Sequence, residues 1–95
     1  MTKKQYRTEI GIVGDILGVT ANGGVGGVLV SQITRSANLS HYAALAKCDK
    51  LVDAGLVQYS KSGRCRVFMI TEKGRAFVRE LEKFKDLADN LNLRY

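Results

Sequence analysis

The segment NGGVGG, residues 22–27, holds four glycines in six residues, a composition typical of loops that bind phosphate through bare backbone amides. A nucleotide-binding P-loop requires the spacing G-x-x-x-x-G-K-[ST] after a strand. Here Gly27 is followed by Val28 and Leu29, and the segment before the glycines has a helical pattern. A dinucleotide-binding loop requires a βαβ unit, which the sequence lacks. We therefore expect a flexible link between two helices and not a nucleotide site.

Residues that carry enzyme chemistry are few and scattered along the chain. The single histidine, His41, projects near the middle of the packed face of its predicted helix, which favours a structural role. Cys48 and Cys65 are 17 positions apart, a spacing and number that suit neither a disulfide framework nor a zinc site. No paired carboxylates, Cys-His pair or Ser-His-Asp set can be placed in one pocket. The sequence therefore predicts no catalytic residue, no metal site, no cofactor and no enzyme activity.

The chain is basic, with 15 Lys and Arg against 9 Asp and Glu and a formal net charge of +6. A basic chain of this size is attracted to polyanions, of which nucleic acid is the first candidate. One group of cations, Lys61, Arg64 and Arg66, has no acidic residue among it. Further cations lie at the start of the last predicted helix and at the N-terminus: Lys73, Arg75, Arg79, Lys3, Lys4 and Arg7.

Three helices are predicted in the first half of the chain. Apolar residues at spacings of 4, 3 and 4 predict the first, over about residues 4–18. After the glycine-rich link, a shorter helix is expected over about residues 28–35, followed by a tight connection. Ser40 is a good N-cap for the third helix, which we expect to run to about residue 54. Gly55 follows, where a left-handed conformation is favoured.

A β-hairpin and a long helix are predicted in the second half. Residues 56–60 and 65–70 are rich in β-branched and aromatic side chains, and residues 61–64 form a short turn with a glycine. Thr71 then caps the last helix. Two short helices with a tight turn and a basic hairpin describe a winged helix-turn-helix of the α+β class, mainly α. The predicted order is α-α-α-β-β-α, with a long C-terminal coiled-coil helix.

The third helix is the expected recognition helix of this fold. With Cys48 at the centre of its packed face, the opposite face and flanks are available to a DNA groove. Small alanines permit close approach, and Ser, Tyr and Lys give polar contacts. The helix has no Arg, Asn or Gln, so sequence-specific reading should be weak. The predicted DNA-binding residues are Ser40, Tyr42, Ala43, Ala46, Lys47 and Lys50 on this helix, Lys61, Arg64 and Arg66 on the hairpin, and Arg35, with Thr34 as a further candidate.

The last helix carries an apolar stripe with an a/d heptad spacing. A helix of this length does not stand alone in water with phenylalanines exposed, so it either folds back on its own domain or pairs with a copy of itself. We favour self-pairing in a two-fold homodimer. Residues 1–71 are the expected DNA-binding part of a single domain, and residues 72–95 its dimerisation helix. The dimerisation residues are predicted to be Phe77, Leu81, Phe84, Ala88 and Leu91.

Four short segments together resemble the archaeal winged-helix DNA-binding family. They are ANLS (37–40), Leu51, AGLV (54–57) and FMITEKG (68–74). Members of the family include small chromatin-associated proteins that dimerise through a C-terminal antiparallel coiled coil. The resemblance covers about residues 28–91. It implies a winged-helix fold, non-enzymatic binding of double-stranded DNA, and a homodimer with two spaced DNA-binding heads.

Three functions are compatible with these patterns. The first is binding of double-stranded DNA as a transcriptional regulator or chromatin protein; the second is an RNA-binding or ribosome-associated winged helix. The third is a winged helix that binds only other proteins. The start of the chain, MTKKQYRTE, has no apolar core of a secretory signal, and no apolar run approaches the length of a membrane span. We expect a cytoplasmic, nucleoid-associated protein without membrane contact.

Overall fold

The first helix is longer at its C-terminal end than its sequence predicts. In the computed structural model, which describes residues 8–92, α1 spans Glu9–Asn22. Thr8 caps it by accepting a hydrogen bond from the Gly11 amide. The helix continues past residue 18 because Thr20 is fully buried and its hydroxyl donates to the Leu17 carbonyl within the helix. The predicted start at residues 4–7 lies outside the described residues.

The segment after α1 contains a strand that the sequence did not reveal. A short 3-10 turn at Gly24–Gly26 leads into β1, Val28–Leu29, and only then does α2 begin, spanning Val30–Ala37. The prediction of a helix from residue 28 was wrong at its start. Val28 and Leu29 pair with a strand almost forty positions further along the chain, and local periodicity carries no signal for such pairing.

The third helix, α3, spans His41–Asp53 and is bounded as predicted. Asn38, which ends α2, has a left-handed backbone with φ of 56°, so the chain turns within three residues. Ser40 then caps α3 by accepting the Ala43 amide at 3.1 Å. At the other end, Gly55 has φ of 79°, as its position predicts.

The predicted hairpin is formed by β2, Val57–Ser62, and β3, Cys65–Ile70. Ser62 lies opposite Cys65 in the register, so the turn consists of Gly63 and Arg64, with a positive φ at Gly63. β3 is the central strand of a three-stranded antiparallel sheet in the order β1-β3-β2.

The last helix, α4, spans Glu72–Asn90 and is fixed against the end of α3. The Thr71 hydroxyl accepts the Gly74 amide at 3.0 Å and lies 2.7 Å from the Gly55 carbonyl, to which it donates. Lys73 also donates to the Ala54 carbonyl at 2.9 Å. Gly74 is buried against the Leu56 carbonyl, where any side chain would overlap it.

The core lies between the three N-terminal helices and one face of the sheet. Its fully or almost fully buried side chains come from every layer: Ile16 and Leu17 of α1, Ile33 of α2, Cys48 of α3 and Phe68 of β3. The architecture confirms the predicted fold class, four helices with a small antiparallel sheet. Within residues 8–92, no helix has the length and hydropathy needed to span a membrane.

Candidate nucleic-acid interface

The outward face of α3 carries exposed side chains from its first turn to its last, with half-buried residues among them. Ala44, Cys48 and Leu51 are buried against the core and hold the helix in place. On the other side Tyr42 is 83% exposed, and Ala46 and Lys50 are exposed as well. Ala43 is half-buried beside them, and the Ser40 hydroxyl sits at the helix start, where its oxygen is engaged in the cap. The face therefore offers an aromatic ring, small side chains and one exposed lysine.

Lys47 is held by the first helix. Its Nζ lies 2.7 Å and 2.6 Å from the two carboxylate oxygens of Glu9, the first residue of α1. The hydrogen bond from Lys47 holds the pKa of the Glu9 carboxyl below its usual value. Lys47 is thus neutralised within the chain, which distinguishes it from Lys50.

His41 lies at the surface, contrary to its predicted place on the packed face. Helical projection gives an angle but not a depth, and His41 is the first residue of α3, where the helix extends past the core. Its ring packs edge-on against the Tyr42 ring, with centroids 6.0 Å apart. One turn later, Leu45 lies on the same row.

The hairpin cations face the same side as the start of α3. Arg66 and Lys61 are direct cross-strand partners and therefore share one face of the sheet. Because side chains alternate along β3, that face is the one on which Phe68 and Ile70 are buried, so Arg66 points toward the helices. Arg64 occupies the turn, and all three cations are exposed.

A cleft of about 350 Å³ separates the hairpin from the helices. It brings the end of β1, the start of α2 and the His41–Leu45 row of α3 close to Arg64 and Arg66 of the hairpin. The lining residues are Leu29, Val30, Ser31, His41, Leu45, Arg64, Cys65 and Arg66. The structure thus brings Arg64 and Arg66, two of the three predicted hairpin cations, next to α3; the predicted contact residues of α3 are not part of this lining. His41 is a member of this surface that the sequence did not identify; its i, i+4 spacing to Leu45 is the only local signal for it.

Arg35 and Thr34 are not among the residues that line this cleft, and further predicted cations lie beyond the described residues. Arg35 is exposed in the last turn of α2, where a cation also complements the helix dipole. Thr34 donates to the Ser31 carbonyl within the same helix. The N-terminal cations Lys3, Lys4 and Arg7 fall outside residues 8–92.

The glycine-rich segment lies at the opposite end of the sheet from the hairpin turn. Leu29 is opposite Val67 and Val28 is opposite Phe68, so the chain before Val28 continues away from the turn. Gly27 has φ of 76°, and a Cβ there would lie 2.5 Å from Val67 and 2.6 Å from Met69. The glycines therefore let the chain pass closely over β3 before it enters β1.

The apolar stripe of α4 is divided between the core and the surface. Leu81 and Ala88 are buried within the single chain, at 8% and 3% exposure. Phe77, Phe84 and Leu91 are 38%, 45% and 58% exposed, and they recur every seven residues along one line of the helix. A groove of about 230 Å³ between α1 and α4 lies beside this line, lined by Ile10, Phe77, Glu80, Leu81 and Phe84.

The two cysteines occupy contrasting environments. Cys48 is buried in the core, and burial raises the pKa of its thiol to about 11. Cys65 is exposed at the start of β3. Over residues 8–92 no group of three or more His, Cys, Asp or Glu side chains is placed to hold a metal ion.

Comparison with known proteins finds a family profile and solved structures that are similar to this chain. The sequence profile of a family described as winged helix-turn-helix matches residues 6–89. Among solved structures, Sso10a-2, a DNA-binding protein from Sulfolobus solfataricus, is 23% identical with a TM-score of 0.80, over 90% of this chain and 86% of that chain. No curated protein sequence matches the chain significantly.

Two further similar structures are larger regulators. A MarR-family transcriptional regulator from Rhodococcus sp. RHA1 is 20% identical with a TM-score of 0.77, over 85% of this chain and 58% of that chain. The transcriptional regulator BldR from Sulfolobus solfataricus is 23% identical with a TM-score of 0.73, over 84% of this chain and 58% of that chain. At these identities the likeness establishes a common fold.

Proposed function

This chain belongs to the winged helix-turn-helix family, and we propose that it binds double-stranded DNA as a homodimer and acts as a transcriptional regulator or chromatin protein. The observation that carries the proposal is the joint surface of α3 and the hairpin. Arg64 and Arg66 line one cleft with His41 and Leu45 of α3, Lys61 is the cross-strand partner of Arg66, and the outward face of α3 carries small side chains. The description of Sso10a-2 as a DNA-binding protein supports the same reading.

The surface is suited to phosphate contact more than to base recognition. Arg64 and Arg66 present planar guanidinium groups that bind phosphate oxygens bidentately, and the Ser40 hydroxyl and Lys50 lie at the two ends of α3. Tyr42, Ala43 and Ala46 are the side chains between them that can approach base edges. We infer a binding mode in which hairpin and helix ends contact the DNA backbone while a small central face enters the groove.

A matched pair of double variants tests the role of the hairpin. Arg64→Gln with Arg66→Gln removes two cations from the proposed surface, and Arg79→Gln with Lys83→Gln removes two exposed cations from α4. In a fluorescence-anisotropy titration of a labelled duplex, the hairpin variant should bind more weakly on every sequence. Its dependence of log Kd on log salt should be shallower by about 2, roughly one for each lost phosphate contact. If the two double variants lose the same affinity for the duplex, the hairpin is not part of the DNA interface.

Competition distinguishes DNA from RNA as the partner. Unlabelled duplex DNA should displace the labelled duplex at lower concentration than a structured RNA of equal length. The reverse order would favour an RNA-binding winged helix, and the absence of any nucleic-acid affinity would leave a protein-interaction module. The ratio of affinities for genomic and random duplexes then separates a regulator, with a large ratio, from a chromatin protein, with a ratio near one.

Dimerisation is proposed through the exposed line of α4. Phe77, Phe84 and Leu91 recur at the spacing of a two-stranded coiled coil, and Leu87 beside them is 57% exposed. Leu81 and Ala88 already pack within the chain, so we assign them to holding α4 against its own domain and the exposed line to the partner copy. An apolar row of this kind is a surface that monomeric proteins seldom present to water.

The dimer is tested by truncating the exposed line. Phe77→Ala with Leu91→Ala removes apolar contact area and should raise the dissociation constant of the dimer by at least about tenfold. Sedimentation equilibrium measures it, with the Arg79→Gln/Lys83→Gln variant as a control on the same helix. Circular dichroism confirms that the truncated chain is folded. A wild-type chain that sediments as a monomer at every concentration would contradict the proposal.

A further inference from the structure

His41 is an exposed titratable side chain at the start of the recognition helix. It is the first residue of α3, and its imidazole packs edge-on against the Tyr42 ring, with centroids 6.0 Å apart. It is also the single histidine of the chain. The DNA-binding residues proposed above do not include it, so its place beside the hairpin has no assigned role.

The neighbours of His41 on the hairpin are cationic. Arg64 and Arg66 line the same cleft as His41, with the exposed Cys65 between them along the chain. The lining residues that β1 and α2 contribute carry no charge, and no aspartate or glutamate is among the described residues of this lining. A positive charge on His41 therefore has no carboxylate in the cleft to neutralise it. The charged or titratable groups beside the imidazole are Tyr42 on its own helix and Arg64, Cys65 and Arg66 on the hairpin.

A phosphate group suits this set of donors. Each guanidinium can donate two parallel hydrogen bonds to phosphate oxygens, and a protonated imidazole donates from both ring nitrogens. The neutral imidazole donates from one nitrogen only and carries no charge, so it binds an anion more weakly. Histidine changes between these two forms in the range from about pH 5 to 8. The strength of a phosphate contact at His41 should therefore follow the pH.

We propose that His41 binds a backbone phosphate of the DNA together with Arg64 and Arg66, and that this contact requires the protonated imidazole. The contact rests on the proposed DNA-binding function and makes that function dependent on pH. Negative charge beside the imidazole favours its protonated form, so the duplex and the proton strengthen each other's binding. The affinity for DNA is then highest at acidic pH, where the imidazole is charged, and it declines as the pH rises and the proton is lost.

The contact is tested first by comparing the wild type with His41→Gln. Fluorescence anisotropy measures the Kd for one labelled duplex at pH 5.5 and at pH 7.5, at the same ionic strength. The Kd of the wild type should be about tenfold higher at pH 7.5, the loss expected for one charge-assisted hydrogen bond. His41→Gln is neutral at both pH values, so its Kd should stay close to the wild-type value at pH 7.5. If the Kd of the folded variant changes with pH as much as that of the wild type, the proposal is overturned.

A permanent cation at the same position tests whether the charge is the cause. His41→Lys should have at pH 7.5 the affinity that the wild type has at pH 5.5, because an ammonium stays charged at both pH values. Cys65→Ser removes the titratable neighbour on the hairpin, and Arg79→Gln removes a cation from α4. Both controls should keep the wild-type ratio of the two Kd values. A His41→Lys chain that binds no better than His41→Gln at pH 7.5, or a loss of the pH dependence in Cys65→Ser, would refute the role of the His41 charge.

The sequence of the duplex distinguishes a phosphate contact from a base contact. Phosphates are the same in every duplex, whereas base edges differ. The ratio of the wild-type Kd values at pH 7.5 and pH 5.5 should therefore be equal, within about twofold, for two duplexes of the same length and unrelated sequence. A ratio that is large for one duplex and near one for the other would assign His41 to a base and overturn the phosphate contact.

Proton uptake can also be counted directly by titration calorimetry at pH 6.5. The heat of duplex binding, measured in two buffers with different heats of ionisation, gives the number of protons that binding takes up. The wild type should take up more protons than His41→Gln, by a fraction of one proton per chain. Duplex binding with equal proton uptake in the two chains overturns the His41 contact alone. A wild type without duplex affinity even at pH 5.5 overturns the proposed DNA-binding function, and the His41 contact with it.

Discussion

The ion pair between Glu9 and Lys47 neutralises one of the two lysines of α3. Lys47 was expected to reach DNA, but its ammonium is held at 2.6 Å and 2.7 Å by the Glu9 carboxylate. Because the pKa of Glu9 is lowered, the pair stabilises the folded chain above the usual pKa of 4.5. That contribution is lost as the pH falls through the lowered folded value.

Releasing Lys47 should therefore strengthen DNA binding. Glu9→Gln removes the carboxylate that competes with phosphate for the ammonium, and the duplex Kd should fall several-fold, with a salt dependence steeper by about one. Glu82→Gln on α4 gives the same change in net charge at a distance and serves as the control. If the two variants bind DNA equally well, only net charge has changed and Lys47 makes no contact.

The two cysteines should differ sharply in reactivity. Thiolates react with alkylating reagents, and burial raises the pKa of Cys48 to about 11, whereas Cys65 is exposed. Iodoacetamide at pH 8 should modify Cys65 alone in the folded chain, and Cys65→Ser should leave the folded protein unmodified. Mass spectrometry locates the adduct. Rapid modification of Cys48 in the folded Cys65→Ser variant would contradict its buried position.

The raised pKa of Cys48 also predicts a loss of stability at alkaline pH. The unfolded thiol ionises around its usual pKa of 9.0 while the folded thiol stays protonated until about 11. Stability from this group is therefore full below pH 9 and declines as the pH rises toward 11. Cys48→Ala removes the titration, so its urea-unfolding midpoint should change less than that of the wild type over this interval. If the urea midpoints of the wild type and of Cys48→Ala change equally with pH, the raised pKa of Cys48 is contradicted.

At the scale of elements, the glycine-rich segment is a close crossing over β3. Gly27→Ala should destabilise the fold by about 1–3 kcal/mol, because its φ of 76° is unfavourable for alanine and its Cβ would meet Val67 and Met69. Gly26→Ala meets no atom within 4 Å and should be nearly neutral. Thermal unfolding measures the stability of both variants. If they lose the same stability, the close packing of Gly27 against β3 is contradicted. If Gly26→Ala leaves the duplex affinity unchanged, the glycine-rich segment has a structural role only.

Local sequence signals located most elements, and long-range contacts decided the exceptions. Ser40, Gly55 and Thr71 mark helix ends through chemistry that is readable within a few residues, and the structure confirms them. The strand at Val28–Leu29 exists only because β3 is beside it. The surface position of His41 likewise depends on where the core ends, which periodicity does not encode. The hairpin cations could be predicted as a group, whereas the cleft behind them could not.

At the scale of the whole molecule, the cationic hairpin and the exposed line of α4 are separate surfaces on one small core. The core holds α3 and β3 together through Cys48 and Phe68. Leu81 and Ala88 of α4 are buried, whereas its outer row is exposed. In the proposed dimer, two DNA-binding surfaces would be carried by one pair of α4 helices. Duplexes long enough for both surfaces should therefore bind more tightly than half-length duplexes.

The salt dependence of duplex binding tests the central claim most directly. The Kd of the wild-type chain for a random-sequence duplex, measured over a series of salt concentrations, should give a straight line of log Kd against log salt. Its slope should reflect several phosphate contacts for each chain. Binding that is tight at low salt and steeply lost at high salt is the expected result. No measurable affinity at low salt, or affinity insensitive to salt, would contradict DNA binding through the α3–hairpin surface.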